Sequence, residues 1–179
     1  ALRQALVTHG RSDEELEAIL AADNADPEVA LCARPGLIAP EALAKAARKA
    51  DRAHDVEPRP GRISPLAVVM VGGDPGRIEA IRDCRAGVED EGSQLVALVA
   101  AHAPVEGRDE RWLDLCAGPG GKAALLAARA AQTGAQLLAN EVSPHRADLV
   151  RSALRAIAPD VARVRCGDGR DLGRDEPGA

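Results

Sequence analysis

The run Asp114-Leu115-Cys116-Ala117-Gly118-Pro119-Gly120-Gly121-Lys122 constrains this chain more than any other feature, because it closes a short apolar segment with a turn almost bare of side chains. A backbone that bare can approach a ligand closely and adopt conformations closed to other residues. Ahead of it, Trp112-Leu113-Asp114-Leu115 reads as a buried strand; after it, Ala123-Ala124-Leu125-Leu126-Ala127-Ala128 reads as a helix of strong formers. Strand, glycine loop and helix start make a cradle for a nucleotide or cofactor, since the free N–H groups and the helix dipole face the ligand together. The spacing is not that of a P-loop: the four-residue gap between glycines and the Ser/Thr after the lysine are both missing.

A second apolar strand, Gln136-Leu137-Leu138-Ala139-Asn140, ends in Glu141, about twenty residues past the loop, where an acidic side chain is placed to accept from a ribose diol. A third, Ala162-Arg163-Val164-Arg165-Cys166, ends in Gly167-Asp168-Gly169 and sets Asp168 beside the first two tips. Each residue also has a plainer role open to it. Gly118, Gly120 and Gly121 suit any tight strand-to-helix turn, Glu141 can cap the next helix, and Asp168 can be a turn residue. Arg146 can brace Glu141 or a ligand, or form a surface ion pair. Lys122 opposes the helix dipole and calls for an anion. Asp114 is placed to order loop N–H groups, and Cys116 reads as a small space-filler at the base of the loop.

Taken in order, Leu113 to Lys122, Ala139-Asn140-Glu141-Val142-Ser143-Pro144-His145-Arg146 and Gly167-Asp168-Gly169-Arg170 resemble the Sun/Fmu family of bacterial RNA (cytosine-5) methyltransferases. Upstream, Ala86-Gly87-Val88-Glu89-Asp90-Glu91-Gly92-Ser93-Gln94-Leu95-Val96 is similar to that family's G-x-x-Q-D-E-x-S-Q helix, with Glu89 where Gln is usual. The resemblance implies S-adenosylmethionine as cofactor, held by Cys116, Ala117, Gly118, Pro119, Gly120, Gly121, Lys122, Glu141, Arg146 and Asp168. In that scheme Lys122 meets the methionyl carboxylate, Glu141 the ribose and Asp168 the adenine amino group. It also implies an RNA substrate, ribosomal RNA in particular. The family's catalytic cysteines lie in a Pro-Cys and a Thr-Cys motif on later strands, and this sequence contains neither pair. No catalytic residue is therefore assigned, and the chain is expected to be the leading part of the enzyme, inactive alone.

Composition narrows the alternatives. The 179 residues are 46% hydrophobic, enough for one domain or two small ones. There is no Phe or Tyr and a single Trp, so the core must be built from Leu, Val, Ile and Ala, and an RNA surface based on base stacking is excluded. The stretch Gly61-Arg62-Ile63-Ser64-Pro65-Leu66 lacks the aromatics that the resembling family often carries there, so its packing must rest on other side chains. Cys32, Cys84, Cys116 and Cys166 are far apart with no C-x-x-C, which excludes the usual zinc patterns and any metal assignment and suggests reduced thiols. No apolar run has membrane-span length and no signal peptide opens the chain, so a cytoplasmic protein without a membrane partner is expected.

The net charge of −5 is unevenly spread. Residues 11–28 are strongly acidic, whereas Leu31 to Arg62 carries a balance of +3 through Arg34, Lys45, Arg48, Lys49, Arg52, Arg59 and Arg62. These cations suit phosphate contacts, and equally a solvated face with ordinary ion pairs.

Before the methyltransferase-like half, the sequence reads as a small α+β module. Ser12 with Glu15 forms a capping box before a helix bearing Leu16, Ile19 and Leu20. Val29 to Ala33 is a strand, and Glu41 to about Ala53 a helix with Leu43, Ala46, Ala47 and Ala50 inward. His54 to Glu57 is a second strand, Arg59-Pro60-Gly61 a loop and Ala67 to Val71 a third strand. A helix then runs from Gly76 to Cys84. The expected fold is α/β, and the resemblance implies that residues 1–75 are a ferredoxin-like, RNA-contacting α+β module and residues 76–179 the first half of a doubly wound, Rossmann-like domain. A non-catalytic RNA-binding module with a remnant loop is the alternative; Pro119 and Lys122 disfavour a nicotinamide dehydrogenase.

Overall fold

Strand pairing divides this computed structural model, which describes Thr8, Gly10 and residues 12–24, 28–50 and 57–176, into an antiparallel and a parallel sheet. The N-terminal helix α1 (Asp13–Asp23) opens with the expected capping box: the Ser12 hydroxyl accepts the Glu15 amide at 3.1 Å and the Glu15 carboxylate accepts the Ser12 amide at 2.9 Å. Of its apolar stripe only Leu16 is buried; Ile19 and Leu20 remain over a third exposed.

Then come β1 (Glu28–Ala33), α2 (Pro40–Ala50), β2 (Arg59–Pro60), β3 (Ala67–Val71), α3 (Glu79–Arg82) and β4 (Ala86–Val88). Their order in the sheet is β2-β3-β1-β4 with every pair antiparallel, which is the split β-α-β-β-α-β arrangement of a ferredoxin-like module. The strand period of two sends Leu31 and Ala33 of β1, with Val68 and Met70 of β3, against Leu43, Ala47, Ile78 and Ala80. Cys32 faces the other way, toward α4 (Glu91–His102), where it packs with Ala97 and Leu125.

Three local expectations change. Arg59 and Pro60 form an edge strand opposite Val69 and Val68 rather than a loop, and Pro is tolerated there because an edge residue need not donate to a ladder. Ala86 to Val88 is a strand, not part of a helix; the helix starts only at Glu91, with Asp90 as its cap accepting the Ser93 amide at 2.9 Å. Because β4 pairs with β1, the first sheet extends to Val88, past the boundary at residue 75 read from the sequence. Residues 51–56, which include most of the expected second strand and the end of the second helix, lie outside the described residues.

The parallel sheet runs β5 (Arg111–Asp114), β6 (Gln136–Glu141), β7 (Ala162–Cys166) in that order, connected by α5 (Gly121–Thr133) and α6 (Pro144–Leu154). This is the first half of a doubly wound sheet. The face of α5 toward the sheet is Ala123, Ala124, Ala127 and Ala128, all fully buried, so the helix sits close on the sheet, with Trp112 as the one aromatic packed against this core. Leu137, Ala139, Val150 and Leu154 complete that core. The opposite face carries the short α7 (Leu172–Asp175), strapped on by Arg165 to Asp175 at 2.5 Å and by Arg163 to Glu176 at 2.6 Å. That sparse cover corrects the reading of residues 112–115 as a buried strand: Leu113 and Leu115 are each 45% exposed. The two sheets are joined by α4, which packs between β1 and α5.

Candidate functional site: a glycine loop braced by Glu141

Order β5-β6-β7 brings the three expected tips to one edge of the parallel sheet. The central tip supports the others. Ala117 donates to the Asn140 carbonyl at 2.9 Å, Gly118 donates to Glu141 Oε2 at 3.0 Å, and Glu141 Oε1 accepts the Ser143 amide at 2.9 Å. Arg146, near the start of α6, donates to the Gly118 carbonyl and lies 3.8 Å from Glu141 Oε2. Glu141 is only 3% exposed. Its pKa is held below the ordinary range, chiefly by the Ser143 amide, with the Gly118 amide and the Arg146 charge adding to the effect. The carboxylate thus braces the loop and holds Ser143, the N-cap residue of α6, which is the capping role open to it in the sequence, while Arg146 acts as a brace.

The loop itself requires glycine at two points. A Cβ on Gly118 would overlap Glu141 Oε2 and the Arg146 guanidinium. Gly120, the N-cap of α5, has φ +115°, and a Cβ there would fall 2.8 Å from Ala153 Cβ and 3.1 Å from Val150 Cα. The Gly118-Pro119 bond is cis. Asp114 accepts the Cys116 amide at 3.2 Å, as expected, and burial pushes its carboxyl above the usual range. Cys116 is solvent-exposed and so is not the space-filler expected of it.

Lys122 stands exposed in the first turn of α5, and no ion pair to it is found among the described residues. It lies in the field of two carboxylates, Asp114 and Glu89, and opposes the effect of burial on both. Glu89 packs against Gly121, and its Oε1 is buried without a hydrogen-bond partner. Burial raises its pKa. At the third tip, Asp168 accepts the Arg170 amide at 2.9 Å and pairs with its guanidinium at 2.5 Å, which pulls the Asp168 pKa down to about 2.

The sequence reading missed Asn140. It is fully buried next to Glu141 at the end of β6, and its amide donates to the carbonyls of Leu115 and Gly167 at 3.1 Å each while its oxygen accepts from Arg165 at 2.6 Å. One side chain therefore pins the ends of β5 and β7 to β6. A neutral polar residue between the apolar run Leu137-Leu138-Ala139 and the acidic tip Glu141 was the available signal. Upstream, the Gly61 to Leu66 stretch is held by polar bonds instead of aromatic packing: Glu91 accepts the amides of Arg62, Ile63 and Ser64, and Gln94 accepts the Ser64 hydroxyl at 2.6 Å.

A groove of about 370 Å³ lies at the opposite end of the sheet, lined by Arg111, Trp112, Gln136, Leu138 and Arg163. None of the sequence-predicted site residues borders it. Among the described residues no cluster of three or more His, Cys, Asp or Glu could hold a metal, and no helix is long and apolar enough to cross a membrane.

Comparison with known proteins agrees with this layout. Rv1407 of Mycobacterium tuberculosis, an inferred methyltransferase, is 49% identical over 166 residues, which cover 93% of this chain and 34% of that protein. The mitochondrial tRNA (cytosine(34)-C(5))-methyltransferase of Danio rerio is 42% identical over 74 residues, 39% of this chain and 20% of that one. The crystal structure of PH0851 superposes with a TM-score of 0.71 at 18% identity, over 93% of this chain and 36% of that one. A methyltransferase homologue from Pyrococcus horikoshii superposes at 0.61 with 16% identity, over 85% and 47% of the two chains. The chain thus spans about a third of the length of the Mycobacterium relative. The family described as 16S rRNA methyltransferase RsmB/F matches residues 100–178, which contain the glycine loop, Glu141 and Asp168, and over that segment the chain is similar to the RsmB/F methyltransferases.

Proposed function

We propose that this chain is the cofactor-holding part of an S-adenosylmethionine-dependent RNA (cytosine-5) methyltransferase, with ribosomal RNA as substrate. The observation that carries this reading is the row of three strand tips, glycine loop, Glu141 and Asp168, inside the segment that matches the family. The residues fit such a cofactor: the loop backbone is bare of side chains, and the missing Cβ at Gly118 lets the Glu141 carboxylate rise against the loop beside it.

In this reading the loop amides and Lys122 hold the methionyl carboxylate, Glu141 accepts from the ribose with the lone pairs that its two backbone bonds leave free, and Asp168 accepts from the adenine amino group. When bound, S-adenosylmethionine supplies an electrophilic methyl group. Carbon-5 of cytosine becomes nucleophilic only after a thiolate adds at carbon-6. The cysteines described here are poorly suited to that step: Cys32 is buried, with its thiol pushed up to about 12 by burial, and Cys84 donates to the Ser152 carbonyl at 3.2 Å. Cys116 and Cys166 are exposed at the strand tips, on the side assigned to the cofactor. The chain thus binds and orients the donor and does not itself supply the attacking thiolate.

RNA contact is assigned to the first module. Its basic face includes Lys45, Lys49 and Arg48, the last paired with Glu57 at 2.9 Å across an exposed surface. Such a pair is weak enough for a phosphate to displace it. The test is methyl incorporation into ribosomal RNA from labelled S-adenosylmethionine. The 179-residue chain transfers none, the intact protein containing it does, and Cys116→Ser in the intact protein still transfers methyl groups. Transfer abolished by Cys116→Ser would place the nucleophile in this chain.

A further inference from the structure

Arg34 is a buried cation in the first module, 5% exposed, whose hydrogen bonds end on two other segments. One guanidinium nitrogen donates to the Cys84 carbonyl at 2.5 Å and to the Ala153 carbonyl at 2.8 Å. Ala153 is in the last turn of α6, a position whose carbonyls have no partner within the helix. The same turn receives a second contact, the Cys84 thiol to the Ser152 carbonyl at 3.2 Å. Cys84 makes it from φ +60°, a backbone conformation unfavourable for a non-glycine residue, so the surrounding contacts must hold it there. The first module therefore caps the C-terminal end of α6, with a cation where the helix dipole favours one.

Ala153 is also where α6 meets the glycine loop. The space beside Gly120 is filled by Ala153 Cβ and the Val150 backbone, and the other end of α6 delivers Arg146 to the Gly118 carbonyl. A displacement of α6 would move both supports of the loop together. We propose that Arg34 is a positioning residue for the cofactor loop, acting through α6, so that the first module sets the affinity of a site it does not touch. This rests on the reading of the loop as the cofactor site.

The experiment uses the intact protein with Arg34→Gln and Arg34→Lys. Hydrogen exchange is followed on peptides covering residues 116–124, and S-adenosylhomocysteine binding by calorimetry. Arg34→Gln is expected to speed exchange in residues 116–124 and in the last turn of α6, to leave the amides of residues 137–139 protected, and to weaken binding about tenfold. Arg34→Lys, which keeps the charge but loses the planar fork, recovers part of both effects. A folded Arg34→Gln protein with parent-like loop exchange and parent-like binding overturns the proposal. If that variant does not fold, the lysine variant decides in the same way: faster loop exchange supports the coupling and unchanged exchange refutes it. A parent protein that does not bind S-adenosylhomocysteine would defeat the cofactor reading alone, because loop exchange in the variants still reports whether Arg34 positions the loop.

Discussion

Glu141 Oε2 accepts the Gly118 amide at 3.0 Å, joining the tip of β6 to the loop that closes β5. A carboxylate that nearly buried, with one backbone amide on each oxygen, is part of the scaffold as well as part of the proposed site.

Glu141→Ala is accordingly expected to lower both stability and cofactor affinity. The melting temperature should drop by about 4 °C or more, and S-adenosylhomocysteine should bind roughly tenfold to a hundredfold more weakly. Because the native pKa is depressed, the contribution of Glu141 to stability is full at neutral pH and is lost as acid takes the pH down through the native value. The difference in stability between parent and variant should therefore shrink below about pH 4. Equal affinity in parent and variant would reduce Glu141 to a helix cap.

Asn140 should matter as much to stability as any core leucine. Asn140→Ala leaves the Leu115 and Gly167 carbonyls and the Arg165 guanidinium short of a partner, at an expected cost of about 2–4 kcal/mol. Urea denaturation measures it. A cost below about 0.5 kcal/mol, the range of ordinary surface changes, would mean that the strand ends do not depend on this side chain.

Gly120→Ala tests the fit between loop and α6. The left-handed φ and the approach to Ala153 and Val150 act together, for an expected loss of about 2–5 kcal/mol. Gly134→Ala is the control, since it shares a positive φ of +76° but has nothing within 4 Å of the added methyl group. The loss at Gly120 should be the larger; equal losses would attribute it to backbone conformation alone.

Much of this arrangement was legible in the residues. The glycine loop, the strand ending at Glu141 and the strand ending before Asp168 carry turn chemistry and apolar runs that leave little choice of element, and β3 and β7 fall where the runs place them. What the sequence hid is set by partners distant in the chain. Arg59-Pro60 is too short and too rich in turn formers to read as a strand until Val68 and Val69 lie opposite it. Ala86-Gly87-Val88 has no alternation of its own and becomes a strand by pairing with β1. The exposure of Leu113 and Leu115 reflects how little of the described chain covers one face of the parallel sheet. Glu141 was read correctly as a strand tip, but its burial under Gly118 could not be inferred, because it depends on how α6 brings Arg146 back over the loop.

The central claim is that the glycine loop holds S-adenosylmethionine, and calorimetric titration of the intact protein with S-adenosylhomocysteine tests it most directly, with Gly118→Val as the comparison. The account predicts one site per chain in the parent and no measurable binding in the variant, whose added side chain displaces Glu141 Oε2 from the Gly118 amide. Absence of binding in the folded parent, or undiminished binding in Gly118→Val, would contradict it.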